Sequence, residues 1–269
     1  MHNEHVHTHR IRIEKAIYSN RINVALEIAE KKKEYTTFKK NLQEGLKEQI
    51  LFVAKEEKIS RLLNFTKVAA TPLIKEVAVL LSERSITDYV NLKAFLIFSG
   101  TEGGQAAVDK LGLTGTFVLK NNDLISFFSD YENLLIKQID EYTHKWIANQ
   151  IQKGKDNSLS ASDIALSLIN ESKGISKVRA ERIAITELAN AMVKVELVAA
   201  KKYGITEIVW RTSRDELVCP ICLPLDGEKS KISQSFDGYI IPAHPSCRCF
   251  YEEVIPSLWE PSTDIWLGE

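Results

Sequence analysis

Cys219-Pro220-Ile221-Cys222 and His244-Pro245-Ser246-Cys247-Arg248-Cys249 are the stretches whose reading decides the fold of the C-terminal part of this chain. All four cysteines fall there, with one of the six histidines. Thiolate and imidazole are the ligands zinc takes, and two Cys-bearing turns facing each other are a usual way to hold that ion. Cys219, Cys222, His244, Cys247 and Cys249 thus compete for four positions. Cys247 and Cys249 are two residues apart, so an extended strand would point both to one face, about two residue rises apart. That is wide for one tetrahedral ion. The spacing favours Cys219, Cys222, His244 and Cys247, with Cys249 buried or held as an alternate; a four-cysteine site needs a turn at Arg248. Buried reduced thiols and a disulfide are the competing readings. Nothing nearby offers an open coordination position, so a zinc ion here is expected to be structural.

The flanks say what such an ion would order. Residues 205–212, 239–241 and 250–255 are β-branched or alternating and read as short strands. A module of about 50 residues buries too little apolar surface to order several short strands unaided, and a metal cross-link supplies what is missing. Upstream the period changes to helical. Ala184, Leu188, Ala191, Val195 and Val198 share one face of a helix that Gly204 closes. Ser160 and Asp163 form a capping box opening a helix to about residue 172, where Gly174 is expected to stop it and Ser176 to cap the next. Residues 153–158 are the clearest polar break in the chain. Before it runs a long helix over about residues 130–153, with Leu135, Ile139, Tyr142 and Trp146 on its inner stripe.

Further upstream, Thr71-Pro72 is an N-cap with proline at the first helical position, and Leu73, Val77 and Leu80 form the buried face. Thr87 caps the next helix, with Leu92, Phe95 and Leu96 inside and Gly100 at its end. Gly103-Gly104-Gln105 reads as a loop, and residues 116–119 as a short strand or extended connector. Residues 11–61 are rich in Lys, Glu, Ile and Leu with no proline, which suits long helices. Lys31-Lys32-Lys33 and Lys39-Lys40 lie among glutamates, as on a solvated helix face. The fold expected is mainly α with a small C-terminal β module, an α+β chain of long helices followed by a zinc-ribbon-like Cys/His sheet. Its expected divisions are a helical region to residue 152, a linker and helical pair over 153–204, the Cys/His module over 205–255, and a tail over 256–269. The tail carries Trp259 and Trp266 between prolines and reads either as packed on its own domain or as a docking peptide.

Composition narrows the class. A 44% hydrophobic and 26% charged chain of net charge -1 is ordinary for a globular protein, without a global pull toward nucleic acid or membrane. No apolar run is long enough to span a bilayer, and no basic-then-apolar N-terminal segment signals export. The expectation is a soluble intracellular protein with reduced thiols.

Residues 183–187 (Ile-Ala-Ile-Thr-Glu), Trp210, Asp215, Cys219-Pro-Ile-Cys222, Leu225-Asp226-Gly227 and His244-Pro-Ser-Cys247-Arg-Cys249 follow one another in an order and spacing that resembles the C-terminal domain of the phage Mu F-like minor head proteins. These are also called phage head morphogenesis proteins. The resemblance covers about half the chain. One departure is Ile185, where the family commonly carries Arg; Arg182 is the position one turn earlier that would take its place. The resemblance implies a non-enzymatic minor component of a tailed-phage head, associated with the portal vertex and acting in capsid assembly or in DNA packaging or ejection. It implies portal, capsid or scaffold proteins as partners, with packaged DNA as a further contact. It also implies host cytoplasm during assembly and then the virion head; neither membrane nor small-molecule substrate is expected. Two other readings compete. An HNH-like nuclease would use Asp215, Asp226 and His244, but needs a histidine free of the zinc. A zinc-ribbon nucleic-acid module would need more than the sparse Lys229, Lys231 and Arg248.

Overall fold

The computed structural model describes residues 29, 31–64, 70–113, 115–213 and 218–256, with backbone alone for 70 and 71. The tail with Trp259 and Trp266, Asp215, the N-terminal histidines and the Thr71 side chain lie outside the described residues. The elements are α1 (Lys33–Val53), α2 (Glu56–Leu63), α3 (Ala70–Leu81), a 3-10 turn (Ile86–Asp88), α4 (Leu92–Lys110), α5 (Asn122–Asp156), α6 (Ala161–Lys202), β1 (Glu207–Arg211), a second 3-10 turn (Leu223–Leu225), β2 (Lys229–Lys231) and β3 (Phe250–Glu253). The fold is mainly α with a small three-stranded antiparallel sheet ordered β2-β1-β3. No described helix is long and apolar enough to cross a membrane.

Two compact units divide the chain. Among the described residues, one comprises those within 36–93 and 127–182, the other those within 29–35, 94–126 and 183–256. The first is held by hydrocarbon: Ile50, Val53, Ile59, Leu62, Leu73, Val77, Leu81, Ile147, Ile151, Ile164 and Leu168 form its core. The inner line of α5 there is Leu135, Ile139, Thr143 and Ile147, a strict four-residue step. Tyr142 was expected on that line but is exposed. Its ring instead covers the buried Arg179 guanidinium at 4.5 Å, while Arg179 donates to the Thr143 hydroxyl at 2.8 Å.

The break after α5 is tighter than its polar composition suggests. The helix runs on to Asp156, and Ser158 takes a left-handed conformation (φ 57°). Its N–H donates to the Lys155 carbonyl and that of Leu159 to the Gly154 carbonyl, a Schellman ending. The Ser160–Asp163 capping box follows as expected, each backbone N–H bonded by the other's side chain. The helical pair expected next is one 42-residue helix. Gly174 does not stop it, and Ser176 does not cap a new one: the Ser176 hydroxyl donates back to the Ser172 carbonyl at 2.6 Å, inside the turn. Gly204 (φ 82°) ends it with a second Schellman motif.

Further departures from the expected elements lie in both units. Gly100, Gly103 and Gly104 all lie inside α4, which runs past Gly100 to Lys110 and is closed by the turn at Gly112 (φ 68°). A Cβ on Gly103 would stand 2.1 Å from the Met192 carbonyl oxygen, and one on Gly104 would stand 2.2 Å from the Phe117 ring. These glycines permit close approach and do not mark a loop. Thr87 lies within the first 3-10 turn, whose cap is Ser85 accepting from the Thr87 N–H. Residues 116–119 form an extended connector, with Phe117 and Leu119 buried. Of the strands expected around the cysteines, β1 and β3 form. Residues 239–241 do not, contributing only a bridge between Phe236 and Tyr239. The third strand is Lys-Ser-Lys at β2, pairing Glu207 opposite Lys231.

Candidate metal centre

The sheet and its turns converge on one aromatic centre. Trp210 of β1 is fully buried, with the Phe236 ring 5.4 Å away and the β3 Tyr251 ring 5.9 Å away, both edge-on. Ile208, Leu225, Ile241, Cys222, Cys247 and the α6 residue Val193 complete this small core. The Tyr251 hydroxyl accepts from the Ile241 N–H at 2.8 Å, tying the segment before His244 to β3. The loop after β1 is closed by its own chemistry. Asp226 accepts from the Thr212 N–H at 2.9 Å, and the Gly227 N–H, at φ 91°, donates to the Trp210 carbonyl. The Cys219-to-Cys222 turn is thereby folded back against the sheet.

The second turn is fixed from α6. Ser246 has a left-handed backbone (φ 60°), and its N–H donates to the Thr186 hydroxyl at 3.1 Å. Glu187 beside it is buried and accepts from the Asn190 amide at 3.0 Å. Ile185 is half-buried and Arg182 exposed.

All five expected ligands come together. His244 Nε2 lies 3.1 Å from Cys219 Sγ and 3.4 Å from Cys222 Sγ, and Cys222 Sγ is 3.9 Å from Cys247 Sγ. Two triplets, Cys219/Cys222/His244 and Cys222/Cys247/Cys249, each have their ligand atoms within 4.8 Å of one another, and Cys222 belongs to both. The four cysteines are unpaired thiols. Bond lengths of about 2.3 Å to sulfur and 2.0–2.1 Å to nitrogen put tetrahedral ligand atoms about 3.8 Å (S to S) and about 3.6 Å (S to N) apart. The spacings seen fit a metal ion. Cys247 and Cys249 stand closer than an extended strand would hold them, because residues 247–249 precede β3 and are not themselves strand.

The thiols are electrostatically uneven. A hydrogen bond with Cys249 brings Cys247 down to about 5, while the same bond raises Cys249. Burial pushes Cys222 up to about 12. Burial is also the largest influence on Cys219 and opposes its ionisation, but the Cys222 and Ile221 N–H groups, the Cys222 thiol and His244 together outweigh it and lower the thiol. His244 is lowered by burial but raised on balance by the Pro245 carbonyl and the Cys247 and Cys219 thiols. The pocket thus favours a cation among these sulfurs. The imidazole's other nitrogen, Nδ1, is 2.9 Å from the Pro245 carbonyl, an outer contact that fixes the ring with Nε2 toward the thiols.

Sequence reasoning missed Thr186 as the anchor of the second turn. It also missed a buried charge cluster in this unit, formed by Lys110, Glu196 and Glu253. Part of the signal was present: Glu196 sits between Val195 and Leu197, a charge inside an apolar run, whereas Lys110 follows Asp109 and carries no such mark.

Residues 143–252 match the family model described as Phage Mu protein F like protein. No curated protein and no solved structure matches the chain.

Proposed function

Proceeding from a chain whose residues 143–252 are phage Mu F-like, we propose that it is a minor head protein of a tailed phage, acting by protein contact in head morphogenesis at the portal vertex. That matched segment is the observation that carries the reading. It spans the paired end of α5, the whole of α6 and the sheet with its cysteines, so the match includes the thiols, His244 and their Thr186 support. The cluster is proposed to hold a structural zinc through Cys219, Cys222, His244 and Cys247, with Cys249 as alternate ligand.

Exposed apolar side chains on the same module support a protein partner. Ile221 lies within the first Cys turn and Leu223 just after it, and Tyr239 and Ile240 precede the second; their exposures run from 40% to 63%. Ile221 and Tyr239 line one cleft, and clustered exposed apolar surface is characteristic of interaction sites. Of the residues a nuclease would use, Asp226 and His244 are otherwise engaged. Asp226 closes the loop after β1, and the Nε2 of His244 lies among the thiols. The lysines read as solvated also have acidic partners, Lys32 with Glu102 at 2.6 Å and Lys39 with Glu181 at 3.3 Å.

The tagged chain, recovered from cells producing the phage, is expected to bring down the portal or capsid proteins. An Ile221→Asp/Ile240→Asp variant that keeps its metal should lose them. Recovery of none of these proteins by the wild type overturns the reading. Metal-dependent cleavage of plasmid DNA, lost in Asp226→Ala, would replace it with the nuclease.

A further inference from the structure

Lys110 on α4, Glu196 on α6 and Glu253 on β3 meet in the interior, their side chains 5%, 5% and 4% exposed. The Lys110 ammonium contacts Glu196 directly, lies 3.7 Å from Glu253 Oε1, and donates to the Tyr251 carbonyl at 3.3 Å. One ammonium therefore faces two buried carboxyl groups. With both ionised, the cluster carries a net negative charge out of water, which is costly without a further partner. Among the described residues, no donor lies within hydrogen-bond distance of Glu253 Oε1. The remaining titratable group facing the cluster is Tyr251, whose phenol is held neutral, chiefly by burial, at about 12.

We propose that this cluster binds one proton beyond that of the ammonium, on the buried Glu196 carboxyl, and that this proton latches the last strand of the metal module to helices α4 and α6. One bound proton makes the cluster neutral, and releasing it leaves an uncompensated charge under β3. The electrostatics agree with the geometry. Burial alone lowers Lys110, but the two carboxylates outweigh it and hold the ammonium above its ordinary value. Burial raises Glu196 to about 7, against the pull of Lys110. The folded value lies above the ordinary 4.5, so the stabilisation is full below 4.5 and is lost as pH rises through about 7. The latch opens on the alkaline side. It is independent of the head-protein reading and of the metal, since none of its members is a candidate ligand.

Hydrogen exchange of the β3 amides in the full-length, metal-loaded protein tests this. Protection factors should fall by about tenfold per pH unit between pH 5 and 7, then level off. Glu196→Gln and Glu253→Gln each leave a neutral cluster and should flatten that slope; contributions from the metal ligands are common to all three proteins. Equal slopes in the wild type and both variants overturn the proposal. A second readout needs no variant to fold. The infrared spectrum of the wild type should show a buried protonated-carboxyl band at pH 5.5 that bleaches by pH 8.5, and its absence would equally overturn the latch.

Discussion

The helical core around Leu168 and the sheet around Trp210 are stabilised by different physics. The first draws on five helices, whose aliphatic side chains interdigitate at three- and four-residue spacing. The second has strands of five, three and four residues and a core of one tryptophan, two other aromatics and a few aliphatics. Burial at about 25 cal/mol per Å² orders long helices that share a face, because each added turn adds apolar area without a new loop. A three-stranded sheet of this size gains much less, and its loops must be fixed one hydrogen bond at a time. Thr212, Gly227, Ser246 and Tyr251 each fix one such loop. The thiol cluster is where those loops meet. One region is stabilised by area, the other by cross-links.

Removing a cross-link should separate the two most sharply. Cys222→Ser deletes the sulfur common to both ligand triplets, so neither close triplet survives. Structural zinc contributes roughly 10–16 kcal/mol of apparent binding free energy in zinc-finger peptides, and for such sites binding is folding. The variant should lose stoichiometric metal and the near-ultraviolet signal of buried Trp210, while most helical circular dichroism remains. Chelation of the wild type should do the same. A Cys222→Ser protein with full metal content and unchanged tryptophan signal would show that the sheet stands without the cluster.

The converse change belongs to the helical core. Leu168 is 1% exposed, and Leu168→Ala leaves a cavity worth about 2–5 kcal/mol. Urea unfolding should shift by that amount, and the folded fraction should keep its metal and its tryptophan signal. A Leu168→Ala protein that releases metal without any denaturant would merge the two regions into one cooperative block.

The same contrast decides what the amino-acid sequence discloses. Spacing in the cysteine turns is local, so all five candidate ligands were legible, and their convergence could be expected from the paired turns. Periodicity disclosed the buried faces of α3, α4 and the second half of α6, and local signals disclosed the capping box at Ser160 and the ending at Gly204. What stayed hidden depends on partners far away in the chain. Gly103 and Gly104 look like turn formers until Met192 and Phe117 are placed against them. The Lys-Ser-Lys of β2 has no strand character of its own and is strand only because β1 offers it hydrogen bonds. Thr186 is unremarkable on a helix until the N–H of Ser246 reaches it, sixty residues later. Tyr142 fits the stripe of α5 by spacing, and only Arg179 explains why it faces outward.

Gly174 offers the smallest test and the one with the opposite sign. It sits inside α6 with an unremarkable helical backbone, and an added Cβ would meet nothing within 4 Å. Glycine in a helix interior costs about 0.5–1 kcal/mol relative to alanine, through the backbone freedom it retains in the unfolded chain. Where no neighbour must move, that cost is recovered in full, so Gly174→Ala should raise stability by about 0.5–1 kcal/mol with metal content unchanged. The contrasting variant is Gly103→Ala, whose Cβ meets the Met192 backbone at 2.1 Å and must destabilise. If Gly174→Ala instead lowers stability, α6 needs flexibility at that point, and its two halves act as the separate helices that glycine and serine first suggest. A gain confirms one stiff helix, with Ile164 and Leu168 buried in one core and Val193 in the other.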